Sequence, residues 1–177
     1  MNKSARSMRT RRLRLRWITE DDAGLLLAIW NDPDFIRHVG DRGIRTLEEA
    51  RQAAREKILK HYDEHGYGPY RVSMVKTDEA MGICGLFKRE NLEYPDIGYG
   101  FLPEFCGRGY AIEAAQAVLD HARGQMNLPQ LLAIVTPENV RSTRLLEKLG
   151  LRAEGQVRMP GEDQDILLYR IRLDDGQ

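Results

Sequence analysis

Between Asp96 and Ala115 the chain reads DIGYGFLPEFCGRGYAIEAA, a strand pattern that passes through a glycine-bearing turn straight into a helix. Gly107 and Gly109 let the backbone bend with its N–H groups turned inward. The helix that follows carries Ala111, Ala114, Ala115, Val118, Leu119 and Ala122 at i, i+3, i+4, i+7, i+8 and i+11, an apolar stripe made to lie on a sheet. Inward N–H groups and the positive end of the helix dipole make a pocket suited to phosphate or pyrophosphate, and Arg108 adds charge to it. Ile112 takes the place of the third glycine of a dinucleotide fingerprint, and no G-K-S/T follows, so neither familiar nucleotide loop is present. A tight turn without a ligand is the alternative, and the spacing alone stops at a phosphate-binding turn.

The rest of the chain supplies a sheet for that helix. Leu13 to Ile18 reads as a first strand. Thr19-Glu20-Asp21-Asp22 has capping-box spacing and opens a helix that is stopped at Asn31-Asp32-Pro33-Asp34. A second capping box at Thr46-Leu47-Glu48-Glu49 opens a long polar helix to about His65, expected to be peripheral and ended by Gly66. Arg71 to Lys76 and Met81 to Lys88 form a hairpin, and Asp96 to Leu102 a further strand. A short buried-type strand follows at Leu131 to Val135, then a helix from Asn139 to Leu149, then strands at Ala153 to Met159 and Ile166 to Leu173. This is an α+β (mixed α/β) layout around one central sheet, with no internal repeat and no linker. Residues 10–174 are expected to form one domain behind a basic, disordered tail at 1–9; the acid-free start also has the composition of a transit peptide.

Charge narrows the partners. Lys and Arg number 27 and so do Asp and Glu, but Met1 to Arg16 holds seven basic residues and no acid, so the body is acidic behind a basic front edge. Half of these arginines alternate with Leu13, Leu15 and Trp17, which suits a solvated sheet edge better than a nucleic-acid surface. The longest apolar run, Ala23 to Trp30, is eight residues, far short of the roughly 18 needed to span a bilayer. Cys84 and Cys106 match neither a disulfide framework nor a zinc site and read as free thiols in a reducing cytoplasm.

Cys106-Gly107-Arg108-Gly109-Tyr110-Ala111 resembles the R/Q-x-x-G-x-G/A pyrophosphate loop of the GNAT superfamily of acyl-CoA-dependent N-acyltransferases, with Cys106 where Gln or Arg is usual. The flanking GYGFLPE and GYAIEA are similar to the RimJ/RimL-type branch, which includes N-terminal acetyltransferases of ribosomal proteins. So are Trp30-Asn31-Asp32-Pro33, Met81 to Leu86, Pro137 to Ser142 and Glu147 to Leu151. The matches run in order over residues 10 to 172.

The resemblance implies a GNAT fold: a twisted, mostly antiparallel sheet of about seven strands, splayed between the fourth and fifth, with four helices. It also implies acetyl-CoA as cosubstrate, no metal, an amine acceptor that is a peptide N-terminus or a small molecule, and allows a homodimer. Pantetheine would pair with backbone near Phe101 and Leu102, the pyrophosphate would sit on the amides of Gly107 to Ala111, and Asn139 would bond the pantetheine arm. Many members use a last-helix Tyr to protonate the departing thiolate, but Leu146 stands there, which leaves Ser142. Asp96 is the candidate base or water-organiser. The alternative functions are a small-molecule amine acetyltransferase and a non-catalytic acyl-CoA sensor.

The acceptor pocket is expected between Trp30 to His38, Tyr67 and Tyr70, and the turn Gly161 to Asp165, where Glu162 and Asp163 would attract a cation. His61-Tyr62-Asp63-Glu64-His65 matches H-x-x-E-H formally but lies at the end of a polar helix and reads as a solvated terminus. Cys106 beside the loop has the position of a low-pKa thiol, yet no paired base is evident in the sequence.

Overall fold

The computed structural model describes residues 6–174. Its strands are β1 (Ser7–Arg9), β2 (Leu13–Trp17), β3 (Pro69–Met74), β4 (Ala80–Phe87), β5 (Asp96–Phe101), β6 (Gln130–Val135), β7 (Arg152–Arg158) and β8 (Asp165–Arg172). They form one sheet in the order β1-β2-β3-β4-β5-β6-β8-β7, antiparallel at every step except β5 to β6. The strand absent from the sequence reading is β1. Ser7 pairs with Arg16 and Arg9 with Arg14, so the segment expected to be tail is part of the sheet from Ser7 onward. Residues 1–5 of that tail lie outside the described residues.

Period-two alternation divides the sheet into two faces. Leu13, Leu15, Val72, Cys84 and Ile97 face the helix α5 (Tyr110–Gly124), whose Ala114, Ala115 and Ala122 let it approach closely. The opposite core joins Ile83 of β4 to helix α1 (Ala23–Trp30) and to the long helical segment that begins after the Thr46 cap. The capping box is present there, with the Glu49 N–H donating to Thr46 Oγ1 at 3.2 Å and the Thr46 N–H to Glu49 Oε2 at 2.9 Å.

That segment is α3 (Leu47–Ala53), a π-helical stretch Ala54–Leu59, and α4 (Lys60–His65), ended by Gly66 at φ 74°. It is less peripheral than its charges suggest. Ala50, Ala53, Ala54, Ile58 and Tyr62 are buried, and three of these are alanines that weigh little in a hydropathy pattern. Asp32 does more than end α1. Its carboxylate accepts from the N–H groups of Asp34 and Phe35 and caps a further helix, α2 (Pro33–Val39), with Pro33 in its first turn, where a missing N–H costs nothing.

The sheet opens between β5 and β6. They run parallel but pair at a single position, Asp96 opposite Leu132, where the Leu132 N–H donates to the Pro95 carbonyl at 3.0 Å. Past it, β5 stays with β4 and β6 with β8, so two strand edges face each other across a gap. Backbone groups alternate sides along a strand. With Pro95 directed to β6 and the Leu102 N–H directed to Met81 on β4, the N–H and C=O groups of Tyr99 and Phe101 point into the gap.

Candidate active site

A cavity of about 490 Å³ occupies the mouth of this gap. The floor is Tyr99, Gly100 and Phe101 of β5. The glycine loop forms one wall, helix α6 (Val140–Lys148) a second, and α2 a third. Gly107 and Gly109 adopt φ values of 75° and 76°, the left-handed region in which glycine carries no Cβ penalty. A Cβ built on Gly107 would meet nothing within 4 Å, so no side chain or backbone crowds the loop at that position. Among the described residues, the amides of Gly107, Arg108, Gly109, Tyr110 and Ala111 donate to no protein acceptor. Unsatisfied first-turn donors at the positive end of a 15-residue helix define a place for negative charge.

Of the cofactor residues expected from the sequence, Phe101, Cys106, Gly107, Gly109, Tyr110, Ala111 and Asn139 line the cavity, and so does Ser142. Two do not. Leu102 has both backbone groups engaged, its N–H to Met81 at 2.9 Å and its carbonyl with the Phe105 N–H at 3.0 Å, because the chain turns back there into a 3-10 turn. Arg108 is exposed on the loop, outside the cavity lining. The Asn139 Oδ1 accepts from the Ser142 N–H at 3.1 Å and caps α6, which leaves Nδ2 directed elsewhere. Cys106 is exposed. Partial burial and the nearby Asp32, Asp34 and Glu104 push its thiol up against the pull of Arg141, the reverse of an activated thiolate.

The acid and acceptor candidates fare unevenly. Asp96 is not at the cavity surface. Its side chain is 2% exposed and ion-paired with Arg89 at 2.8 Å at the root of the gap; burial pushes its carboxyl up, with Arg89 opposing. Trp30 is 8% exposed and packs with Ile18, Leu26 and Ile44, so it is a core residue and not part of an acceptor pocket. Tyr67 lies half-buried against His61 and His65, at centroid distances of 5.7 and 5.9 Å. Burial, then His65, holds His61 below its ordinary value, so the H-x-x-E-H string is an aromatic cluster facing Tyr67 and Phe87. Glu162 and Asp163 are exposed at the β7–β8 turn, while Asp165 is paired with Arg158 at 2.8 Å. Among the described residues no group of three or more His, Cys, Asp and Glu side chains is placed to hold an ion, and no helix is long and apolar enough to cross a membrane.

Several lining residues escaped the sequence reading. Arg141, Arg144 and Lys148 stand on the cavity side of α6. Their i, i+3, i+7 spacing puts all three on one face of the helix, a signal legible in the sequence. Helix α2 bridges to the far wall, with Asp34 paired to Arg141 at 2.5 Å and the His38 Nδ1 3.1 Å from Thr136 Oγ1. The front-edge arginines are not free either. Arg16 is held by Asp22 at 2.7 Å and Arg12 by Glu113 at 2.6 Å.

A parallel strand pair that splays over a glycine loop at a helix N-terminus defines an acyl-CoA-dependent N-acyltransferase. The chain belongs to the GNAT acetyltransferase domain family, whose sequence profile matches residues 12–152. It is 30% identical over 152 residues to the uncharacterized N-acetyltransferase p20 of Bacillus licheniformis, covering 84% of each chain. Among solved structures, an acetyltransferase from Agrobacterium tumefaciens superposes with a TM-score of 0.79 at 27% identity, covering 97% of both chains. RimL, a ribosomal L7/L12 α-N-protein acetyltransferase in complex with coenzyme A, shares the fold with a TM-score of 0.79 at 20% identity, covering 93% of this chain and 96% of its own. The family places the chain among acetyl-CoA-dependent N-acetyltransferases.

Proposed function

We propose that acetyl-CoA binds in the gap with its pyrophosphate on the amides of Gly107 to Ala111, and that the acceptor is a protein N-terminal α-amine. One observation carries the reading: the single-position pairing of Asp96 with Leu132 leaves the Tyr99 backbone groups and the Phe101 N–H open, with the Phe101 carbonyl met by Cys106 Sγ at 3.9 Å, beside five unpartnered loop amides. An amide-bearing pantetheine arm adds to such an edge as a strand does. The loop takes the phosphates, and Arg144 and Lys148 bring positive charge to the wall they line. Asn139 Nδ2 faces the arm.

Acetyl-CoA, when bound, supplies a thioester that an amine attacks directly. A β5 N–H, that of Tyr99 or Phe101, donates to the thioester oxygen as charge develops there. Ser142, at the start of α6, donates a hydrogen bond to the departing sulfur, and the proton that the amine loses on becoming an amide ends on that sulfur to give the free thiol. The amine must arrive neutral, and the acids on the cavity wall are already engaged, which leaves the His38 Nε2 as the remaining base of that wall. Asp32 caps α2, Asp34 pairs with Arg141 and His38 meets Thr136, while Asp96 is held by Arg89 below the floor. Deprotonating a lysine-like amine at pH 7 costs about 4.6 kcal/mol, against about 1 to 1.4 kcal/mol for an α-amine. A site whose carboxylates are all engaged and whose remaining base is one imidazole nitrogen suits the second better.

A polyamine is the second reading. A 55-residue stretch is 36% identical to the spermidine N(1)-acetyltransferase of Escherichia coli, and Glu162 and Asp163 offer exposed acid at the β7–β8 turn. Thiol release from acetyl-CoA, measured with N-terminal peptides and with polyamines, aminoglycosides and amino acids, decides between them. Turnover with peptides supports the proposal. Turnover confined to polyamines supports the alternative, and cofactor binding without turnover for any acceptor points to a sensor.

A further inference from the structure

Arg12, which the sequence places at a solvated edge, touches the glycine loop from behind. Its Nη1 donates to the Arg108 carbonyl at 3.1 Å and its Nη2 to the Gly109 carbonyl at 3.2 Å. The guanidinium carbon lies 4.5 Å from the centroid of the Tyr110 ring. The same side chain is anchored by its Nε to Glu113 Oε2 at 2.6 Å, while the other carboxylate oxygen accepts from the Arg12 N–H at 3.0 Å and from Thr10 Oγ1 at 2.6 Å. One planar fork therefore ties β2's entry, the loop and the first turn of α5 together.

The direction of these bonds matters. A peptide unit presents its C=O and the following N–H on opposite sides. Holding the Arg108 carbonyl on the Arg12 side turns the Gly109 amide the other way, toward the cavity, while the Gly109 carbonyl is shared between Arg12 and the Glu113 N–H at 3.3 Å, the first bond of α5. We propose that Arg12 is a positioning residue for the pyrophosphate loop: it fixes the orientation of the loop amides without touching the ligand. Lysine cannot substitute, because a single ammonium does not reach both carbonyls and Glu113 in one plane. The inference rests on the assignment of acetyl-CoA pyrophosphate to this loop.

The test uses two donors, acetyl-CoA and S-acetylpantetheine, which carries the same thioester but no pyrophosphate. The wild type is expected to have a far lower KM for acetyl-CoA. In Arg12→Gln the KM for acetyl-CoA should rise about tenfold, the size of effect a charge-assisted pair of hydrogen bonds gives. Its kcat should hold, and its KM for S-acetylpantetheine should not change. Arg12→Lys should behave like Arg12→Gln. Glu113→Gln, which loosens the anchor but keeps the guanidinium, should shift the acetyl-CoA KM in the same direction by less, and it serves if Arg12→Gln does not fold. An unchanged acetyl-CoA KM in folded Arg12→Gln, or an equal loss for both donors, overturns the role of Arg12. A wild type that treats both donors alike overturns the loop assignment itself.

Discussion

The Tyr99 hydroxyl lies 3.5 Å from the carbonyl oxygen of Ser142, a long contact that joins β5 to the first turn of α6 across the open side of the sheet. Burial pushes the Tyr99 hydroxyl up to about 12, with a hydrogen bond involving Ser142 acting the other way, so it is protonated at neutral pH. The contact ties the backbone of Ser142, the donor to the departing sulfur in the proposed mechanism, to the cavity floor. Ser142→Ala is expected to lower kcat on the order of 10²-fold, the lower end of what a positioned proton donor contributes. The KM for acetyl-CoA should stay within about twofold. Steady-state kinetics on the variant checks this, and full activity would remove Ser142 from the chemistry.

Tyr62 fastens the long helical segment to the sheet. Its ring stacks on Trp17 at a centroid distance of 4.2 Å, and its hydroxyl donates to the Pro69 carbonyl and accepts from the Ile18 N–H at 3.0 Å. Tyr62→Phe leaves both backbone groups without their partner in a buried place. The expected loss is about 1 to 3 kcal/mol, read from denaturant unfolding with the slope unchanged.

Glu113 titrates in a way that links folding to acid. Burial raises its carboxyl, but the bonds from Thr10 and Arg12 outweigh that and hold it below its ordinary value. A depressed folded-state pKa gives stability that is present above the unfolded value, about 4.3, and is lost as pH falls through the folded one. Thermal melts from pH 7 to 3 should therefore show a shallower acid decline in Glu113→Gln than in the wild type.

Cys106, with its thiol pushed up by burial and by the carboxylates of Asp32, Asp34 and Glu104, is not expected to carry an acyl group. Cys106→Ser should retain turnover, and the wild-type thiol should alkylate slowly at pH 7 when followed by mass spectrometry.

What was legible in the sequence followed from periodicity and punctuation. The Ala114, Ala115, Val118, Leu119 and Ala122 stripe, the Thr46 capping box and the Gly107-Arg108-Gly109 turn each state a local geometry that the fold keeps. Helix α2 was missed because Asp32-Pro33 serves equally as a stop and as a cap followed by a first turn. Ser7–Arg9 was missed because a three-residue strand has no period to read. Trp30 misled because an aromatic next to a turn looks like a pocket wall, whereas its place is fixed by packing against Ile44, a residue 14 positions away. A long-range pairing such as Arg12 with Glu113 leaves no mark at fixed spacing, because the two meet only after the sheet and α5 have assembled. Arg89 and Asp96, seven residues apart, meet across the β4–β5 connection, a spacing that no helix or strand period marks.

The assignment of pyrophosphate to the glycine loop stands or falls on charge at Gly107, which has φ 75°, open space around its Cβ position and a place on the cavity wall. Asn and Asp both tolerate the left-handed region and differ by one charge. The deciding measurement is calorimetric titration of Gly107→Asn and Gly107→Asp with acetyl-CoA. Binding by the Asn variant near the wild-type affinity, with a loss of about tenfold or more in the Asp variant, is the predicted result, since like charges about 4 Å apart cost at least about 1 kcal/mol even in water. Equal affinities for the two variants would contradict it.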